Sequence, residues 1–273
     1  RFGTQTIREI DPAAKVGFKA NDRITHIDGF PTKAMDKDEI VAKLRGLVKS
    51  RVVLTIRRAD KALPLRFEVV RAHIVPDTVV ARRKDGVLHL RVSGFNQNTA
   101  RSAADTLRAE RRRQGDPLRG AILDMRGNPG GLLKQAVRLV DLFLSEGLIS
   151  STRGRHPDSI HRYEAGGSDL SQGLPMVVLV DGKSASAAEI VAAALQDRGR
   201  AVVVGTTSYG KGTVQTVIRL PNEGELTLTW SRFIAPSGYA IHGLGVSPGI
   251  CTSGAAGDGA DELKSALSGR MGT

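Results

Sequence analysis

Residues 176–195 read MVVLVDGKSASAAEIVAAAL, and their pattern indicates the class of fold. It opens with a continuous apolar run over Met176–Val180, which is typical of a β-strand buried on both faces. After a short loop, the small and aliphatic residues of Ala187–Leu195 predict a helix. A buried strand that leads through a loop into a helix indicates a sheet covered by helices.

The same alternation of strand and helix recurs along the rest of the chain. Apolar and β-branched runs predict four further strands, at Gly86–Val92, Gly120–Met125, Ala201–Val204 and Glu225–Ile234. Amphipathic spacing predicts two helices, at Gln97–Arg113 and Leu132–Leu144. This order favours an α/β fold with a mainly parallel sheet. Residues 148–173 are polar and Gly-rich with little periodicity, and the Gly- and Ala-rich residues 253–273 are expected to form a loosely held tail.

The first 72 residues differ in pattern and predict a small, separate α/β module. Thr4–Ile10 and Arg51–Arg57 are strand-like, and Asp36–Leu47 has helical spacing. A short helix is predicted after Asp11, with Pro12 at its first position. We therefore expect domains over 1–72, 73–252 and 253–273, the last being the tail.

Composition excludes several classes of protein. The chain has 273 residues, 40% of them hydrophobic, which is enough for a core and excludes a wholly disordered chain. One cysteine excludes an internal disulfide framework and a multi-cysteine zinc site, and we expect neither a metal nor a cofactor. The net charge of +12 is spread along the chain and aromatic residues make up only 4%, so we expect no nucleic-acid partner.

A first candidate for chemistry is Asp124–Gly131, DMRGNPGG, which lies between a predicted strand and a helix. Its paired glycines let the backbone approach a ligand, and amides at the start of a helix favour negative charge. These are the properties of an oxyanion hole. An ordinary strand–turn–helix connection explains the segment equally well.

A second candidate is Asp181–Glu189, DGKSASAAE, which places Ser186 at the start of a helix. A developing negative charge is stabilised there, so Ser186 is a candidate nucleophile. The pattern Ser186-x-x-Glu189 is also a capping box, which requires no catalysis. From spacing alone, both interpretations stay open.

The third candidate is Ser208–Gln215, SYGKGTVQ, in which Lys211 lies between two glycines after a buried strand. A phosphate-binding loop is excluded because Gly212 stands where the magnesium-binding Ser or Thr is required. A serine nucleophile needs a base, and none of the six histidines lies in these segments, although one could reach them in space. A lysine serves as a base when desolvation lowers its pKa from about 10.4.

Together these stretches resemble known families. The segment Asp11–Gly29, DPAAKVGFKANDRITHIDG, resembles a PDZ domain. Four later segments resemble motifs of the C-terminal processing peptidases, peptidase family S41, and occur in the same order as in that family: DMRGNPGG, VDGKSASAAEIVAAALQD, VVVGTTSYGKGTVQ and APSGYAIHGLGVSP. The resemblance implies a crotonase/Clp-protease-like core of helices packed on a mainly parallel sheet, preceded by a small PDZ-like α/β domain. It also places the PDZ carboxylate loop before Arg1 and implies that an export signal has been removed.

The resemblance further implies a role for each matching residue. Ser186 falls on the nucleophile, Lys211 on the general base, and Gln215 on the residue that orients the lysine. The oxyanion hole falls on the Ala187 amide and on one amide from Gly130 and Gly131, of which Gly131 is preferred. Ser184 is then a structural serine. Asp197 also matches an acidic position of the family. It lies 11 residues beyond Ser186, about 16 Å along a continuous helix, so we expect it not to contact Ser186 or Lys211 but to fix the end of its helix or the following turn.

These resemblances imply a serine endopeptidase of the bacterial periplasm or cell envelope that cleaves near the C-terminal tails of proteins. An adaptor protein, peripheral membrane association and a homo-oligomer stay open. One alternative is a PDZ peptide-binding scaffold with a resting or inactive protease core. A chymotrypsin-like protease is disfavoured, because Pro129 stands where its nucleophilic serine belongs.

Overall fold

The computed structural model describes residues 12–115 and 117–253. The strand predicted over Thr4–Ile10 and the tail predicted after Ser253 lie outside these residues. The chain divides into two compact units, Arg1–Val75 and Pro76–Thr273. Within the described ranges, no helix is long and apolar enough to cross a membrane.

The first unit is a small antiparallel sheet with two helices. Its elements are α1 (Pro12–Lys15), β1 (Arg23–Ile27), β2 (Phe30–Pro31), α2 (Lys37–Leu44), β3 (Arg51–Arg57) and β4 (Leu65–Val70), and the strand order is β2-β1-β3-β4. Asp28 and Gly29 both have positive φ, 48° and 84°, as the two-residue hairpin between β1 and β2 requires. Alternation along β3 directs Val52 and Leu54 into a core with Ile27 and Val69.

The second unit is built on a six-stranded sheet with the order β14-β11-β10-β7-β6-β5. Its strands are β5 (Val79–Lys84), β6 (Val87–Val92), β7 (Gly120–Asp124), β10 (Met176–Val180), β11 (Val202–Gly205) and β14 (Ile250–Cys251). All neighbouring pairs are parallel except β5 and β6, which form an antiparallel hairpin at one edge. The predicted mainly parallel sheet is confirmed.

Three helices cover this sheet: α3 (Thr99–Arg112), α4 (Leu133–Val140) and α5 (Ala187–Asp197). Helix α5 is buried from Ala187 to Leu195, which explains why all of these residues except Glu189 are apolar. Helix α4 is shorter than the predicted Leu132–Leu144, and its buried face is Gln135, Ala136, Leu139 and Val140, whereas Leu133 and Val137 are only partly buried.

A second sheet of the same unit has the order β12-β13-β8-β9, formed by β8 (Gly147–Arg153), β9 (His161–Ala165), β12 (Thr213–Arg219) and β13 (Glu225–Ile234). Strands β8 and β9 lie where the sequence shows little periodicity. Polar residues occupy the buried face of β8: Ser150 and Thr152 are buried, and their hydroxyls donate to the carbonyls of Ile234 and Ser159. Satisfied hydroxyls in a buried position hide the alternation that would identify a strand.

The sheet order determines where the site lies. Strands β7, β10 and β11 are adjacent and parallel, so their carboxyl ends meet at one edge. The segments DMRGNPGG, DGKSASAAE and SYGKGTVQ follow these three strands. In open α/β sheets this edge is where ligands bind.

Candidate active site

The loop after β7 is shaped by Asn128, whose side chain is fully buried. Its Nδ2 donates to the Val92 carbonyl at 2.9 Å, and its Oδ1 accepts from the Gly130 N–H at 2.8 Å. Its own carbonyl accepts from the Ala185 N–H at 2.9 Å. One buried amide therefore fixes the glycine loop and joins it to the turn that precedes Ser186.

The two glycines of this loop lie against neighbouring backbone. A Cβ at Gly130 would stand 2.8 Å from Ser186 Cβ, and a Cβ at Gly131 would stand 2.2 Å from the Phe95 carbonyl oxygen. Both residues have positive φ, 99° and 140°. No side chain fits at either place, which explains the glycine pair and brings the loop beside the candidate nucleophile.

Two backbone amides at this place remain available as donors. The Gly130 N–H is already taken by Asn128, whereas no acceptor within the described residues takes the N–H of Gly131 or of Ala187. The Ala187 amide is one of the free donors at the N-terminus of α5. These two amides, predicted for the oxyanion hole, lie on the two loops that meet at Ser186.

Ser186 stands at the junction of loop and helix with φ 56° and ψ −115°. This region is sparsely populated by residues other than glycine, and such strain persists only where the surroundings impose it. The side chain is partly exposed, so a substrate can reach the hydroxyl. A serine in a strained turn between a strand and a helix is the arrangement that nucleophile elbows use.

Ser184 has a different environment from Ser186. It is fully buried, its Oγ donates to the Met125 carbonyl at 2.8 Å, and it accepts from the Asp181 N–H at 3.0 Å. The bond to Met125 holds the loop after β10 against the loop after β7, and the bond from Asp181 closes a turn within the loop after β10. The hydroxyl of Ser184 is thus committed to structure.

Lys211 is positioned by its backbone. Its N–H donates to Glu189 Oε2 at 2.8 Å, and the same oxygen accepts from the Ser186 N–H at 2.7 Å, the bond predicted for a capping box. The Lys211 side chain is exposed, and no hydrogen bond joins its Nζ to Ser186 Oγ in the described structure. The structure thus brings the two loops together, while the side chains of Ser186 and Lys211, predicted as nucleophile and base, form no hydrogen bond with each other in the described part of the chain.

Gln215, the residue predicted to orient Lys211, is exposed on β12, opposite Thr229 and next to a bulge in the ladder.

Asp197, the last residue of α5, accepts from both the N–H and the Oγ of Ser237, at 2.9 and 2.6 Å. These bonds hold the turn after β13, about 40 residues further along the chain, and not the end of α5 or the turn directly after it, which were the expected places. Burial, together with the charges of Asp197 and Glu189, raises the pKa of Tyr239 to about 12.

Two carboxylates at these loops, Asp124 and Asp181, have a lowered pKa. Burial alone would raise the pKa of Asp124, but hydrogen bonds from Arg126 and His89 outweigh it and hold the pKa well below its usual range. Asp181 is similar: the N–H groups of Gly127 and Lys183 lower its pKa against the effect of burial. Both carboxylates stay ionised and brace the loops.

A histidine lies beside the first segment: His89 Nε2 is 3.1 Å from Asp124 Oδ2. In the part of the chain that the structure describes, no histidine forms a hydrogen bond with Ser186, and no group of residues has the composition of a metal site.

Sequence reasoning missed the support given by Asn128 and Glu189. A buried asparagine after a strand gives no periodic signal, and the capping box accounts for only one bond of Glu189. The Asn-Pro-Gly-Gly run was the available clue for Asn128, because an Asn side chain readily bonds backbone two residues ahead.

Comparison with known proteins places these features in a family context. The model of peptidase family S41 matches residues 86–252, and a PDZ domain model matches residues 7–58. The carboxy-terminal-processing protease of Bartonella bacilliformis is 41% identical over 240 residues, covering 88% of this chain and 55% of that protein. The carboxy-terminal processing protease CtpB of Bacillus subtilis is 34% identical over 245 residues, covering 88% of this chain and 50% of that protein.

Among solved structures, a photosystem II D1 C-terminal processing protease superposes with a TM-score of 0.58 and 27% identity, covering 88% of this chain and 65% of that one. An S41 protease from Bacteroides fragilis shares the fold, with a TM-score of 0.53 and 18% identity, covering 96% of this chain and 76% of that one. The chain spans about half the length of the curated relatives it matches.

Proposed function

This chain belongs to peptidase family S41, and from that premise we propose that it is a serine endopeptidase with Ser186 as nucleophile and Lys211 as general base. One observation carries the proposal. The segments after β7, β10 and β11 meet at one sheet edge, with the strained Ser186 at the start of α5 and directly beside Gly130 of the glycine loop.

The chemistry follows from these positions. Ser186 Oγ attacks the scissile carbonyl while Lys211 Nζ accepts the hydroxyl proton. The carbonyl oxygen becomes an oxyanion that accepts hydrogen bonds from Gly131 and Ala187. Lys211 then gives its proton to the leaving amine, and a water activated by the same lysine hydrolyses the acyl-enzyme.

A lysine acts as a base only in its neutral form, which desolvation favours. The exposure of Lys211 therefore implies a substrate-dependent step: the bound peptide covers the lysine and displaces its water. In this proposal Gln215 orients the lysine once it is covered. Apo geometry with the reacting groups apart is common in enzymes whose hydrogen bonds tighten in the substrate complex.

For the substrate, we propose proteins of the periplasm or cell envelope with exposed C-terminal tails. The printed names of the relatives are those of carboxy-terminal processing proteases, and the first unit contains a PDZ domain, a fold that binds peptide termini by strand addition. In this proposal the PDZ unit binds an apolar tail and the preceding chain reaches Ser186. The relatives do not favour a scaffold with an inactive core.

The test compares cleavage of an unfolded, fluorescently labelled protein by wild type, Ser186→Ala and Lys211→Ala. Both substitutions are expected to abolish cleavage without unfolding the chain. Lys183→Ala is the matched control, since Lys183 is an exposed lysine in the loop that precedes Ser186 and only its backbone bonds Asp181. Retained cleavage in either folded dyad variant contradicts the proposal.

A further inference from the structure

Glu189 is a fully buried residue whose carboxylate accepts four hydrogen bonds. Oε2 accepts from the backbone N–H of Ser186 and of Lys211, at 2.7 and 2.8 Å. Oε1 accepts from the Gly210 N–H and from Ser208 Oγ, both at 2.6 Å. A carboxylate has about four lone-pair sites, so these donors satisfy it completely.

No lysine, arginine or histidine forms an ion pair with Glu189 in the described part of the chain. Burying a charged carboxylate is costly unless hydrogen bonds replace its water. All four donors come from the two loops that carry Ser186 and Lys211. The free energy that keeps Glu189 buried therefore depends on these loops staying together.

The Oε2 atom has a special place in this arrangement. The Ser186 and Lys211 backbone nitrogens both bond it, so they are separated by at most the sum of two short hydrogen bonds. Of the four bonds to the Glu189 carboxylate, a capping box explains only the one from the Ser186 N–H. The bonds from Lys211, Gly210 and Ser208 come from a segment about 20 residues further along and have no function in capping the helix.

We propose that Glu189 is a positioning residue that holds the backbone of Lys211 against the turn of Ser186, and so sets the distance over which the lysine side chain must reach. This inference rests on the proposed function, since it names the group that aligns the same dyad. A small misplacement of catalytic groups lowers the rate much more than it lowers substrate binding.

The other oxygen supplies a matched control. Ser208 Oγ donates to Oε1 and accepts from the Val246 N–H at 2.8 Å, so it links Glu189 to the segment after β13. Ser208→Ala removes a buried hydrogen bond from the same carboxylate but leaves both Oε2 bonds intact. Glu189→Gln replaces one oxygen by an NH₂ group, which cannot accept from the N–H donors that face it.

The experiment measures kcat and KM of the 273-residue chain with a quenched fluorescent peptide, and amide hydrogen exchange at Ser186, Gly210 and Lys211. For Glu189→Gln we expect kcat to fall by about tenfold or more, KM to change by less than about twofold, and exchange at Gly210 or Lys211 to accelerate. For Ser208→Ala we expect kcat to fall by less than about threefold, even if its melting temperature falls as much as that of Glu189→Gln.

Equal losses of kcat in the two variants, in step with their stability, would mean that Glu189 is merely structural and would overturn the inference. If Glu189→Gln does not fold, Glu189→Asp is measured instead, because it keeps both carboxylate oxygens on a shorter side chain. A wild-type kcat in Glu189→Asp also overturns the inference. If wild-type cleavage survives Ser186→Ala, the proposed function has failed, and exchange alone decides: unchanged protection of Gly210 and Lys211 in Glu189→Gln rejects the positioning role.

Discussion

The carbonyl of Asn128 accepts a hydrogen bond from the Ala185 N–H at 2.9 Å, and this bond joins the glycine loop after β7 to the turn that carries Ser186. The Asn128 side chain holds the Gly130 N–H at the same time. Since that bond occupies the Gly130 amide, Gly131 is left as the donor of this loop. In the proposed mechanism, Asn128 therefore leaves Gly131 as the oxyanion donor of this loop.

Asn128→Ala is expected to lower kcat by about tenfold to a hundredfold, because the oxyanion donor is no longer fixed. The loss of two buried hydrogen bonds is expected to lower the free energy of unfolding by about 2 kcal/mol. Peptide cleavage and urea unfolding measure the two effects.

The control for this variant is Asn96→Ala. Asn96 also bonds backbone on both sides of its amide, to Pro76 and Asn98, but does not hold the glycine loop. It is expected to lose stability and to keep kcat within about threefold. A similar fall of kcat in both variants would argue against a role for Asn128 in the oxyanion hole.

Ser184→Ala and Ser186→Ala are expected to separate structure from chemistry. Ser184→Ala leaves the Met125 carbonyl and the Asp181 N–H without their buried partner, so the free energy of unfolding should fall by about 2 kcal/mol while cleavage persists. Ser186→Ala should abolish cleavage at nearly unchanged stability. Thermal unfolding and a cleavage assay on both proteins check this, and the reverse pattern would assign the nucleophile to Ser184.

The glycine loop permits a test of backbone geometry. Gly131→Ala brings a Cβ against the Phe95 carbonyl at positive φ, so we expect a loss of about 3 kcal/mol or more and no measurable cleavage. Gly127→Ala is the control, since Gly127 has positive φ but open space around its Cβ, and about 1 kcal/mol is expected there. Equal losses measured by urea unfolding would show that conformational strain, rather than the contact with Phe95, sets the cost.

An element can be predicted from the sequence when the contacts that determine it are local in the chain. Met176–Val180 and Glu225–Ile234 are identified from sequence because hydrophobic and β-branched side chains mark strands by themselves. The parallel order of β7, β10 and β11 then brings three separate motifs to one edge, so the place of the candidate site is also predictable. The roles of Ser186 and Lys211 remain proposals.

What sequence reasoning could not predict depends on partners distant in the chain. Glu189 is recognisable as half of a capping box, but its bonds to Ser208, Gly210 and Lys211 exist only once two loops meet. Strand β8 was missed because its buried Ser150 and Thr152 find acceptors on other segments. Exposure of Lys211 is likewise a property of the assembled surface and not of its motif.

The second unit is expected to lose stability in acid. Asp124 is buried and contacts Arg126, Arg91 and His89, and its pKa in the folded chain lies well below its usual range. Such a group stabilises the fold fully above its unfolded pKa of about 3.9, and this stabilisation is lost as the pH falls toward the folded pKa. The free energy of unfolding is therefore expected to fall steeply below about pH 4.

Asp124→Asn removes the charge that the fold prefers. We expect it to lower the free energy of unfolding by about 2 kcal/mol at pH 7 and to flatten the dependence below pH 4. Urea unfolding followed through Trp230, the single tryptophan, measures both. Asp158→Asn is the control, because the Asp158 side chain is 83% exposed and should leave stability and its slope with pH unchanged. If Asp124→Asn keeps the wild-type slope below pH 4, the acid sensitivity arises from other carboxylates.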